Sequence, residues 1–270
     1  MKKSLLALAV LAASGAAMAQ SSVTLYGVAD AGVTYVNGDK NWSGVTSGNN
    51  LTSRIGFRGV EDLGGGLKAN FRLEAGLNLD NGDGASGYAG AKAGDGLAFK
   101  RQSTVGLEGG FGEVRLGREL TAAYNATARY DVFGSVGLGQ SRLWVNGNIA
   151  DDNVTPYAAA QTTNQRVSNA VTYVSPNFSG FKAAVNYGFG EVAGANSDRQ
   201  YLGAGVTYDN GPLSLGLGLE RLNKDTATNS GKISVWSLGG SYDLGVAKIL
   251  AGYRDSKGDR GTAGDDKTKG

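Results

Sequence analysis

The segment Leu213-Ser214-Leu215-Gly216-Leu217-Gly218-Leu219-Glu220 places leucine at every second position and small or polar residues between. Alternation at period two predicts a strand with one apolar and one polar face. The same alternation recurs along most of the chain. A first strand is predicted from Val23 to Val36, with Val23, Leu25, Ala29, Ala31, Val33 and Tyr35 on one face and Thr24, Tyr26, Asp30 and Thr34 on the other. A polar loop to Asn50 follows. Leu51 to Gly59 forms the second strand, and Glu61 to Gly66 a tight reversal. A third strand carries Ala69, Phe71, Leu73, Ala75, Leu77 and Leu79 outward and Lys68, Asn70, Arg72, Glu74 and Asn78 the other way.

After a Gly/Ala/Asp-rich loop at 80–96, strands are predicted at Phe99 to Glu108 and Glu113 to Arg118. A long irregular segment, Glu119 to Gln165, marks a functional loop or a misassigned element, and it is read here as a loop folded inward. Hairpins resume over Val167 to Val174 with Phe181 to Phe189, Tyr201 to Tyr208 with Leu213 to Arg221, and Ile233 to Tyr242 with Ala247 to Arg254. Pro176 and Pro212 fall in turns, where a missing N–H costs no ladder bond.

Charges at alternate positions cannot face hydrocarbon, where a midplane Arg or Lys costs about 2–4 kcal/mol. One face therefore meets lipid and the other water, which is the pattern of a transmembrane β-barrel. Short turns alternate with long polar loops, and Tyr and Phe recur near strand ends, as expected for periplasmic turns, external loops and aromatic girdles. Met1 to Ala19 reads as a cleaved signal peptide: Lys2 and Lys3, an apolar run from Leu5 to Ala13, and the small-residue site Ala17-Met18-Ala19. Residues 20–270 are then one barrel domain.

Composition narrows the chemistry. Removing the signal leaves 26 − 2 = 24 Lys and Arg against 24 Asp and Glu, which gives no reason to expect nucleic acid as a partner. The chain has no histidine and no cysteine, which excludes Ser-His and Cys-His nucleophile pairs and His or Cys metal sites. No cofactor and no metal are expected, and no enzyme activity. The 45 glycines suit a tilted sheet whose strands approach closely. Mean hydropathy of −0.21 hides the alternation by averaging two faces.

Several segments resemble the general porins of β-proteobacteria. They are Ser22 to Asp30, Ser53 to Gly59 with Glu61-Asp62-Leu63-Gly64, Gly106-Leu107 with Gly109 to Arg118, and Asn169 to Tyr173 with Ser175 to Phe181. The resemblance implies an all-β, antiparallel, up-and-down transmembrane barrel of 16 strands in the Gram-negative outer membrane. It also implies a homotrimer and passive diffusion of small hydrophilic solutes and inorganic ions. The third external loop, containing Tyr130-Asp131-Val132-Phe133-Gly134, is implied to bend inward and narrow the pore. About 11 strands are counted here, and family members finish on a strand ending in an aromatic residue, so the expectation is an incomplete barrel that would not insert stably by itself.

Parity places Arg54, Arg58, Arg72, Arg115, Lys68, Lys100 and Lys182 on the wet face. Arg118 joins them through the family motif. Glu119 and Asp131, in or at the long loop, and Asp30, Glu74 and Glu113 on strands supply the opposing charge. A basic wall facing acids gives a transverse field that discriminates solutes by charge, with Arg54, Arg72 and Arg115 as leading constriction candidates and a weak preference for anions. The competing expectation for these charges is cross-strand pairing that only stabilises the wall. The competing function is a non-conducting barrel that serves as an adhesin or surface-binding protein.

Overall fold

The computed structural model describes residues 22–85, 96–134, 136, 165–190, 200–226, 229–259 and 265–269. The proposed signal peptide lies outside the described residues. Among them are fifteen strands, one short helix and a 3-10 turn. The strands are β1 (Ser22–Val28), β2 (Ala31–Val36), β3 (Trp42–Ser47), β4 (Arg54–Gly64), β5 (Leu67–Leu77), β6 (Gly84–Ala85), β7 (Gln102–Gly109), β8 (Gly112–Leu120), β9 (Arg166–Val174), β10 (Phe181–Gly188), β11 (Tyr201–Asn210), β12 (Leu213–Thr226), β13 (Asn229–Asp243), β14 (Lys248–Asp259) and β15 (Asp265–Lys269). The helix is α1 (Ala122–Thr127), and Ala128–Tyr130 continues it as the 3-10 turn.

The main sheet runs β1-β4-β5-β7-β8-β9-β10-β11-β12-β13-β14-β15, antiparallel throughout. This is the expected up-and-down meander. It is not closed: β1 and β15 stand at its two ends. β2 and β3 form a separate two-stranded sheet.

Register fixes the faces. Arg58, Arg72, Thr104, Gly117, Ala170, Gly188, Tyr201, Leu222 and Ile233 are successive cross-strand partners and so share one side. That side carries α1 and is called inner here. The other side presents exposed Val23, Leu25, Val105, Leu107, Leu116, Leu202, Val206, Leu215, Leu217, Leu219, Trp236 and Leu238. An apolar outer face that none of the described residues covers is what a lipid-facing wall requires.

Four local expectations change. The first strand breaks after Val28. The Asp30 N–H donates to Ser53 Oγ at 2.9 Å, and the Asp30 carbonyl accepts from Gly48 N–H at 2.9 Å and Ser53 Oγ at 2.9 Å. Its main-chain groups are thus diverted from the ladder, and the chain leaves as the β2–β3 hairpin, whose first strand the pattern read as the end of the opening strand and whose second lies inside what it read as loop. Beyond the last predicted strand, which ended at Arg254, the polar residues Asp265–Lys269 form β15, because backbone pairing needs no apolar side chains. The long segment after Glu119 contains α1. The reversal after β4 starts later than expected, at Gly64, Gly65 and Gly66, whose φ values of 83°, 62° and 82° require glycine.

Candidate functional site

Two inner surfaces converge on the problem of the pore: a helix seated on β11–β13, and a charged wall on β1, β4, β5, β7 and β8.

The helix begins where β8 ends. Thr121 adopts φ −66° and ψ 149°, and its Oγ1 accepts the Tyr124 N–H at 3.1 Å, an N-cap that starts α1. The Thr121 N–H donates to the Gln165 carbonyl at 2.8 Å, which ties the two feet of the long loop together. Asn186 holds the first turn: its Oδ1 accepts the Ala122 N–H, and its Nδ2 donates to Thr172 Oγ1 at 2.6 Å. Further along, Thr127 Oγ1 donates to the Ala123 carbonyl at 2.9 Å and lies 3.1 Å from Ser237 Oγ. Tyr130 OH and Ser214 Oγ are 2.9 Å apart. Arg129 makes a two-bonded ion pair with Asp209, at 3.1 and 2.7 Å. Ala122, Ala123, Ala126 and Ala128 are buried against the sheet. The segment therefore descends β12 toward the Gly211-Pro212 turn instead of hanging free.

On the charged wall, Glu74 is the hub. Its carboxylate accepts from Arg101 Nε at 2.7 Å and Tyr26 OH at 3.0 Å, with Arg54 Nε at 3.9 Å. A second cluster joins Arg115 to Glu113 at 2.7 Å and to Glu119 at 2.8 Å, and Asn70 Nδ2 donates to Glu113 at 2.9 Å. Arg54, Arg101 and Arg115 thus each have a carboxylate beside them. Arg58 and Arg72 do not. They are direct cross-strand partners, and their guanidinium carbons lie 5.7 and 5.8 Å from the centroid of the Tyr26 ring. Arg72 Nη1 reaches Gln102 Oε1 at 3.4 Å. Among the described residues neither has a carboxylate in salt-bridge range, and both are exposed. The ring face of Tyr26 is the attraction that holds them.

The structure brings together Arg54, Arg58, Arg72, Arg115, Glu74 and Glu119 on the inner face. Arg118 stands apart: the register opposes it to Ser103, in the row of Leu73 and Phe57, next to a bulge at Gly117. Its guanidinium donates to the Lys100 carbonyl and to Ser168 Oγ, each at 2.6 Å. Lys100 precedes β7, so strand parity does not apply to it. Asp131 caps its own turn, accepting the Phe133 N–H at 3.1 Å. Asp30 accepts the N–H groups of Asn49, Asn50 and Leu51 at 3.0, 2.9 and 2.7 Å. These bonds, that of Leu51 first, hold its carboxyl below the usual carboxylate range.

Beside the charged wall, two basic residues escaped the sequence reading, as did Arg129 on the inward segment. Arg101 is buried on Glu74, and Arg166 is buried with its Nε donating to the Arg101 carbonyl at 2.8 Å. Arg101 had the wrong parity because the chain is not yet a strand there. Arg166 sits one residue before the predicted start of its strand, and starting β9 one residue earlier would have found it.

The comparisons with known proteins agree with this architecture. A family model described as Gram-negative porin matches residues 5–269. The outer membrane porin protein 32 of Delftia acidovorans is 47% identical over 99% of this chain and 73% of its own length. The major outer membrane protein P.IB of Neisseria gonorrhoeae is 34% identical over 95% of this chain and 72% of its own. Among solved structures, an anion-selective porin from Comamonas acidovorans superposes with a TM-score of 0.77 at 40% identity, covering 93% of this chain and 72% of that one. With its apolar outer wall and inward-seated loop, this chain belongs to the Gram-negative porin family, the passive pores of the outer membrane.

Proposed function

We propose that this chain forms the wall of a general diffusion pore with a preference for small hydrophilic anions, and that Arg58 and Arg72 carry that preference. The supporting observation is that, among the described residues, neither has a carboxylate in salt-bridge range. Among the described residues Arg54, Arg101 and Arg115 lie beside Glu74, Glu113 and Glu119, and Lys68 opposes Asp62 and Glu108 on the same face, whereas Arg58 and Arg72 lean on the Tyr26 ring. The clusters cancel locally, and Arg58 and Arg72 are the exposed guanidiniums of this wall left without a carboxylate in salt-bridge range. Like charges directly opposite one another weaken a sheet, so their presence is evidence of a role in permeation rather than in holding the wall. The field they set up acts on solutes in the water-filled path and needs no bound group. The name of the solved relative, an anion-selective porin, favours the same sign. In this reading the chain is exported by cleavage after Ala19, which its amino-terminal pattern supports, and assembles as a homotrimer, which the family resemblance implies.

The test is the reversal potential in a salt gradient, measured on the full-length protein that carries this chain. A unit charge about 6 Å from a permeating ion is worth about 0.7 kcal/mol in a water-like dielectric. Arg58→Ala and Arg72→Ala are each expected to lower the anion-to-cation permeability ratio roughly tenfold on that estimate, because the lost charge no longer attracts the anion or repels the cation. Arg221→Ala removes the same charge from the outer face and leaves the ratio unchanged. Unaltered selectivity in both inner-face variants defeats the assignment.

A further inference from the structure

We propose that Gly205, Gly216, Gly218 and Gly239 form a seat for the inward loop, and that its depth sets how far the loop stands off the wall. The idea rests on the reading above that this loop narrows a pore.

The observation is a match between two surfaces. Along β12, Ser214 meets Tyr130, Gly216 meets Ala126 and Gly218 meets Ala123. Two strand residues advance about 6.6 Å, and three to four helical residues advance about 4.5–6 Å, so the two elements stay in step over this short contact. A Cβ on Gly205 would strike the Ala122 carbonyl oxygen, and one on Gly216 the Ala126 carbonyl oxygen. On Gly218 it would lie 2.9 Å from the Ala123 methyl, and on Gly239 it would enter the Tyr130 ring.

The arrangement is costly for the sheet itself. Gly205 and Gly218 are direct cross-strand partners, and so are Gly216 and Gly239. Paired glycines offer no cross-strand side-chain contact and lose the most backbone entropy on folding. Close approach of another backbone is the gain that offsets this. The glycine hydrogens directed at the Ala122 and Ala126 carbonyl oxygens add weak C–H···O contacts. The polar ties at Asn186, Ser237, Ser214 and Asp209 then fix where along the seat the segment stops.

A methyl group in the seat therefore pushes the segment toward the lumen. The test uses the full-length protein, and the 270 residues of this chain contain no cysteine. Spin labels at Phe133→Cys, in the exposed stretch after the seat, and Leu244→Cys, in the exposed β13–β14 turn, report the loop position without reference to transport. Gly216→Ala and Gly239→Ala are expected to shift or broaden that distance by about 1.5 Å, the reach of one added bond, and to lower single-channel conductance by roughly a third. Gly110→Ala, at a turn with open space around it, changes neither. In a Tyr130→Ala background Gly239→Ala adds nothing, because the ring whose atoms lie nearest the added Cβ is gone.

An unchanged distance in both seat variants overturns the proposal. So does an effect of Gly239→Ala that persists without Tyr130. A shifted distance with unchanged conductance leaves the seat standing and rejects the constriction reading beneath it. If Gly239→Ala fails to fold, rescue by Tyr130→Ala supports the seat, and failure in both backgrounds rejects it.

Discussion

Asp30 illustrates how much one side chain can decide. Its carboxylate gathers three consecutive N–H groups, and its own N–H and carbonyl bond the Ser53 hydroxyl, so the first strand ends and the β2–β3 hairpin begins. The folded carboxyl is held below its ordinary range by these bonds, led by that from Leu51. A depressed folded value means the contribution is complete above the unfolded pKa, about 3.9 for Asp, and is lost as the pH falls through the lower folded value. Hydrogen exchange at Asn49, Asn50 and Leu51 is therefore expected to stay slow from neutral pH to about pH 4 and to accelerate below it. Asp30→Asn, which cannot accept as an anion, removes that protection at neutral pH. Amide protection in the variant equal to the parent's would contradict the role. Strand parity alone had placed Asp30 on the wet face as an opposing acid, and it could not reveal that the backbone around it leaves the ladder.

At the scale of elements, α1 depends on its ends and on its floor. Six residues are too few for a helix to persist in water by propensity. Thr121 supplies the cap, and Asn186 satisfies another first-turn N–H. Thr121→Ala is expected to cost about 1 kcal/mol of local stability and to speed amide exchange over 122–127 roughly fivefold, with the strands unaffected. Equal exchange rates would mean that the seat alone defines the helix. The sequence marked this stretch as irregular because α1 has no amphipathic period to read: its buried face is alanine, and its partner face is glycine. The alternation in β12 was read correctly as two faces, but the inner one is largely covered by α1 instead of being wet.

For the whole molecule, the outer face carries the membrane claim. Leu217 lies mid-strand in β12, exposed and flanked by exposed Leu215 and Leu219. Leu217→Arg is expected to destabilise the full-length protein in lipid vesicles by about 2–4 kcal/mol, measured by equilibrium unfolding in denaturant. Ala184→Arg, on the inner side of β10, avoids that lipid penalty. Equal effects of the two would argue against a lipid-facing wall. Sidedness was legible from residue order, because a strand sends alternate side chains to opposite faces whatever surrounds it. Thus Arg54, Arg58, Arg72, Arg115, Lys68 and Lys182 could be assigned to the inner side before any coordinates. Which of these charges remain unpaired could not be. Arg54 shares Glu74 with Arg101 from another strand, Arg115 lies between Glu113 and Glu119, and Arg58 meets Arg72 only through the β4–β5 register. Periodicity follows from local backbone geometry and is written along the chain. Charge balance and the resting place of the loop are sums over strands distant in sequence, and only their assembly into one sheet decided them.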